Sequence, residues 1–122
     1  MASAHVAPSA ARDVSMRLAA AQPRLQLSVT RAKAGAHVRV LGVNCPRPKA
    51  GPDELTWHDS YQLTHRFARP PFRKLQGLHR TGETIMATFT VLKGDHLGRG
   101  LLDLFCGGNR GNAIAYLDVI KD

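Results

Sequence analysis

The stretch 83–106, ETIMATFTVLKGDHLGRGLLDLFC, constrains the fold more than any other part of the chain. Residues 84–93 are mostly β-branched, aromatic or aliphatic and contain neither Pro nor Gly, a composition that favours a strand. Side chains alternate faces along a strand, so Ile85, Ala87, Phe89 and Val91 share one side and Met86, Thr88, Thr90 and Leu92 the other. The first side is wholly apolar and the second half polar, as in a sheet packed on one face. Gly94, Gly98 and Gly100 then interrupt the pattern and supply positions for a turn with positive φ. Strand character resumes at residues 101–106, where Leu102, Leu104 and Cys106 alternate with Leu101, Asp103 and Phe105. The expectation is an antiparallel hairpin.

Phe89, Val91, Gly94, Gly98 and Arg99, followed by Leu102, Asp103 and Phe105, resemble a hairpin in a family of small bacteriophage proteins. The segment Gly35-Ala36-His37-Val38-Arg39-Val40 is similar to that family's opening strand. The resemblance covers roughly a quarter of the chain, and it breaks at the long insert between these strands and at Cys106-Gly107-Gly108. Such proteins are often encoded beside recombination and replication functions. The resemblance therefore implies single-stranded DNA binding in the cytoplasm of a host cell.

Composition points the same way. A chain of 122 residues with 43% apolar content makes one domain with a modest core. The net charge of +8 includes twelve Arg among seventeen basic residues, which favours a polyanionic partner, nucleic acid before an anionic membrane surface. Cys45 and Cys106 form no CxxC and no zinc spacing. They could pair, but thiols on the strands of an intracellular-looking domain are expected to be buried and reduced. No apolar run approaches the ~20 residues that span a bilayer, so a soluble protein without membrane contact is expected.

Residues 1–23 form an Ala-, Ser- and Arg-rich arm with a single acid, Asp13. Ser9 could cap a short helix that Pro23 ends, and the same composition fits a mitochondrial or plastid presequence. The folded domain is expected over residues 24–122. Within it, residues 24–30 alternate Leu25, Leu27 and Val29 against polar neighbours, and residues 37–45 form a second strand with Val38, Val40 and Val43 inward. Gly42 marks a bulge or bend in that strand. The prolines at 46, 48 and 52 make a basic loop. Residues 113–120 supply a last strand with Ile114, Tyr116 and Asp118 opposite Ala115, Leu117 and Val119.

The basic insert at about residues 46–82 carries the functional expectation. Leu55, Trp57, Tyr61 and Leu63 fit either an edge strand or a short helix, and Pro70-Pro71 stops both. Arg66, Arg69, Arg73, Lys74 and Arg80 lie in an acid-free stretch, residues 62–82, with Trp57, Tyr61, Phe67 and Phe72 among or just before them. Arg and Lys neutralise phosphates, while aromatic rings stack on bases for about 1–3 kcal/mol each. The alternative is that the aromatic residues belong to the core and the Arg residues to a solvated rim.

Other chemistry finds less support. LLDLFCGG at 101–108 looks like the Gly-rich turn of an adenosylmethionine-dependent methyltransferase, but too little chain follows to build the rest of that fold. His58 and His65 stand seven apart, too far for one metal on a helix, where four is the useful spacing. No GxSxG, P-loop or HExxH occurs. No metal or other cofactor is expected, and an RNA-cleaving enzyme built on His65, His79 and Arg66 keeps only a minor place.

The expected fold is mainly β, a small antiparallel barrel or sandwich, with an OB-like barrel as the best single choice. The expected function is non-catalytic binding of single-stranded DNA or RNA. Arg66, Arg69, Arg73, Lys74 and Arg99 would contact phosphates, and Trp57, Tyr61, Phe67 and Phe72 would stack on bases. The second expectation is a structural subunit of a larger assembly, a virion or organellar ribonucleoprotein component, or a homo-oligomer, ordered through its N-terminal arm.

Overall fold

A computed structural model describes residues 22–46, 51–65, 72–107 and 112–122. The elements in chain order are β1 (Arg24–Leu27), β2 (Arg31–Ala32), β3 (His37–Val43), β4 (Glu54–His58) and α1 (Ser60–Thr64). They continue with β5 (Arg73–Lys74), β6 (His79–Thr81), β7 (Thr84–Thr90), β8 (Gly98–Phe105) and β9 (Asn112–Val119). Two sheets result, one of order β1-β3-β7-β6 and one of order β2-β9-β8-β4-β5. All pairings are antiparallel except that of the two-residue β2 with β9.

The chain is thus mainly β, and of the two expected architectures it adopts the sandwich. Among the described residues no strand is shared between the sheets, so the OB-like barrel is not formed. The reason lies in the apolar faces. Val38, Val40, Ile85 and Phe89 from one sheet meet Leu55, Trp57, Leu102, Leu104 and Leu117 from the other in a single core. Trp57 and Phe89 touch across it with ring centroids 4.6 Å apart. Two one-sided sheets bury these faces by stacking.

The same geometry corrects the expected hairpin. Both of its strands exist with the predicted alternation, but β7 belongs to the four-stranded sheet and β8 to the five-stranded one. Each has a wholly apolar face, and the two faces are satisfied by packing against one another rather than by lying side by side. The Gly-marked segment is a crossover between layers. Its Asp95 accepts hydrogen bonds from Leu92 N within the connection and from Trp57 Nε1 and Arg73 of β4 and β5, tying the connection to the five-stranded sheet. The hairpins formed are β6–β7, closing at Thr81 and Thr84, and β8–β9, pairing Phe105 with Asn112.

Two further expectations change. Gly42 is no bulge, since it keeps regular register with Leu25 and Ile85. A side chain there would overlap Leu104 of the facing sheet, so Gly42 permits close approach. Cys45 and Cys106 are buried as expected but joined in a disulfide, with Cα atoms 5.4 Å apart. Each follows the inner strand of a different sheet, β3 and β8, which brings them together across the sandwich. The N-terminal helix expected within 1–23 lies almost wholly outside the described residues.

Candidate functional site

The basic, aromatic groove expected over residues 57–74 is described only in part, and its described residues lie in different settings. Trp57 is 2% exposed and sits at the centre of the core, so its expected role in stacking on bases is withdrawn. Its indole N–H donates to Asp95 Oδ1 at 3.1 Å. Arg73 faces the same carboxylate, with Nη1 3.0 Å from Oδ1, while Nη2 donates to the carbonyl of Thr90. Its guanidinium lies 5.1 Å from the centre of the Phe89 ring. Those donors are spent on holding the β7–β8 connection, which leaves Arg73 poorly placed for phosphate.

Lys74 and Arg99 are exposed, and each has a carboxylate neighbour. Lys74 Nζ lies 3.4 Å from Glu54 Oε1, and Arg99 Nε lies 3.6 Å from Asp118 Oδ1. Arg99 also rests over the ring of Tyr116 at 5.4 Å. Tyr61, on α1, stacks with His65 at 4.1 Å and with His96 at 4.8 Å. Phe72 is 47% exposed and tilts against His58. Arg66, Phe67 and Arg69 lie outside the described residues.

α1 is fixed by Asp59, whose side chain caps it through Gln62 N at 3.0 Å. The other oxygen of Asp59 lies 2.8 Å from His96 Nδ1 and accepts from His96 N. Burial pushes the Asp59 carboxyl up, but hydrogen bonds from His96 and from the backbone of Gln62 outweigh it and hold it below the usual range. At the opposite end of the sandwich, Arg80 spans Asp53 and the disulfide segment. It donates to both Asp53 oxygens, at 2.8 and 2.6 Å, and to the carbonyls of Cys45 and Pro46. Among the described residues no cluster of three His, Cys, Asp or Glu side chains is placed to hold a metal.

Two outer sheet faces remain as candidate surfaces, and their chemistry differs. On the five-stranded sheet, cross-strand rows place Arg31 and Arg99 beside Asp118, then Tyr116, Leu101 and His58 together. The following rows hold Ile114, Asp103 and Thr56, then Asn112, Phe105 and Glu54. Ile114 and Tyr116 are 47% and 49% exposed, unusual for large apolar side chains standing side by side on a strand. The signal was present in the alternation of residues 113–120, which set Ile114 and Tyr116 opposite the core-facing residues. On the four-stranded sheet, no strand contains an Asp or a Glu. A groove of about 560 Å³ runs over that face.

The sheets β1-β3-β7-β6 and β2-β9-β8-β4-β5 face one another with a disulfide between the layers and a buried tryptophan in the core, a layout that resembles immunoglobulin-type sandwiches. No protein-family profile matches the sequence, and no curated protein matches it significantly. Among solved structures, the chain is similar to the C. elegans twitchin kinase fragment, an autoregulated protein kinase with immunoglobulin domains. Identity is 18% and the TM-score 0.44, over 84% of this chain and 21% of that one. Sandwiches of this kind host many unrelated activities, so the fold by itself assigns none.

Proposed function

We propose that this chain is a non-catalytic interaction module, a subunit of a larger assembly, and that it meets a second copy through the outer face of its five-stranded sheet. The observation that supports this is the layout of charge along that face. Arg31 and Arg99 flank Asp118 at one end and leave it net positive, and Glu54 and Asp103 with Lys74 leave the other end net negative. Tyr116 and Leu101 stand between them, and Ile114 and Phe105 lie beside Asp103 and Glu54. A two-fold axis through the apolar middle lays the basic end of each copy over the acidic end of the other. That is the self-complementarity an isologous contact requires. The Cys45–Cys106 bridge favours an oxidising compartment over the cytoplasm expected from sequence.

Sedimentation velocity of the full chain over a concentration series tests the proposal. A dimer is expected, and Ile114→Arg or Tyr116→Asp should return it to monomer while leaving it folded, with an unfolding curve like that of the native chain diluted below its dissociation. A chain that stays monomeric at high micromolar concentration rules the contact out.

Single-stranded nucleic-acid binding is the second reading, and a specific observation favours it. The described residues carry ten Lys and Arg against eight Asp and Glu, whereas the rest of the chain carries seven against one. Most of the excess charge therefore belongs to residues outside the described ones, Arg66 and Arg69 among them. Fluorescence anisotropy with labelled single-stranded and duplex oligonucleotides across a salt series tests it. Binding that favours the single strand and falls steeply with salt supports it, and reversing Arg66 and Arg69 without effect removes it.

A further inference from the structure

We propose that the groove on the outer face of the four-stranded sheet is a binding site for a small organic anion with a flat apolar body, such as an aromatic carboxylate. This site is independent of the self-contact, which lies on the opposite sheet. Its floor is made by Leu41 and Met86, directly paired across β3 and β7, with Met86 46% exposed. One row along the strands, about 7 Å away, Arg39 pairs with Thr88. Ser28 closes the corner, and its hydroxyl accepts a hydrogen bond from Arg39 N at 2.9 Å. The groove therefore offers an apolar surface next to a guanidinium with two hydroxyl groups beside it.

Charge selects the sign of the ligand. The strands β1, β3, β6 and β7 hold no carboxylate, while Arg24, His37, Arg39 and His79 share their outer side. Among the described residues no carboxylate pairs with Arg39, in contrast to Arg73, Lys74, Arg80 and Arg99, each of which has one. An unneutralised guanidinium at the edge of an apolar floor binds a planar carboxylate through paired N–H donors. The thioether of Met86 suits an aromatic ring above it. The volume of about 560 Å³ falls within the ordinary range of small-ligand sites.

Titration of the full chain with 1-naphthoate, followed by two-dimensional NMR of the amide groups, tests the site. Saturable binding is expected, with shifts centred on Arg39, Leu41, Met86 and Thr88. Arg39→Gln should weaken it by roughly tenfold or more, the loss of a charge-assisted contact, whereas Lys121→Gln, an exposed position beyond the end of β9, leaves it unchanged. Met86→Glu, at an exposed position, should weaken it as well by placing a carboxylate on the acid-free face. Unfolding curves verify that both variants are folded. Shifts scattered over both sheets, equal affinity for uncharged 1-naphthalenemethanol, or undiminished binding by both Arg39→Gln and Met86→Glu would overturn the proposal.

Discussion

Gly100 on β8 faces the ring of Trp57 on β4 so closely that even a methyl group at position 100 would overlap the indole. Trp57 has little room to yield. Phe89 packs on it from the opposite sheet, and its N–H is held by Asp95. Gly100→Ala should therefore destabilise the domain by about 1–3 kcal/mol, the ordinary cost of overpacking a filled core. Urea unfolding followed by tryptophan fluorescence measures it. Gly94→Ala serves as a control with a small effect, since nothing lies close to that position.

Asp95 should prove the most sensitive polar residue among those described. Its side chain is 6% exposed and accepts from Trp57 Nε1, both Arg73 Nη atoms and Leu92 N. Asp95→Ala leaves a buried indole N–H and a guanidinium without their acceptor, which should cost about 3–5 kcal/mol. Asp95→Asn retains one acceptor oxygen and should cost less. The difference between the two variants in denaturant unfolding checks the assignment, and equal losses would mean that packing rather than acceptance matters here.

Local pattern explains what was legible in the sequence. The in-out alternation of Ile85, Phe89, Leu102 and Leu104 depends only on neighbours two residues away, and it is correct in the fold. Pairing depends on distant partners, and there the reading failed. Gly94, Gly98 and Gly100 suggested a hairpin turn, yet two strands with equally apolar faces are better served by facing each other across a core. Trp57 met the same limit. An aromatic residue near a basic stretch suits stacking or the core equally well, and the deciding contact, Asp95, lies 38 residues further on. Cys45 and Cys106 are 61 residues apart, so only the stacking of β3 over β8 reveals them as partners.

That disulfide closes a long loop, so its removal should be costly. For a separation of 61 residues the chain-entropy estimate is about 4 kcal/mol, a large share of a small domain's stability. Cys45→Ala/Cys106→Ala should lower the urea midpoint sharply, and thiol reductant should do the same to the native chain once unfolding exposes the buried bridge. A double variant as stable as the native chain would mean that the sheets are held by their core alone.

The pair of Asp53 and Arg80 should set the acid limb of stability. Hydrogen bonds from the Arg80 side chain hold the Asp53 carboxyl below its ordinary value of 3.8, against the opposing effect of burial and with further help from Gly107 N. In the unfolded chain the carboxyl returns to the ordinary range. The unfolded state therefore binds the proton more readily, and stability must rise with pH across the interval between the two values. The contribution is complete above about pH 5, begins to fade as pH drops through the unfolded carboxylate value, and is lost below the depressed folded one. Asp59, also held low, adds to the same limb with the same sign. Asp53→Asn should lower stability at neutral pH and flatten its fall as pH drops through and below the ordinary carboxylate range. Urea midpoints of the two chains measured at half-unit steps test this. Curves that run parallel across that interval would show that Arg80 owes its place to the carbonyls of Cys45 and Pro46 rather than to the ion pair.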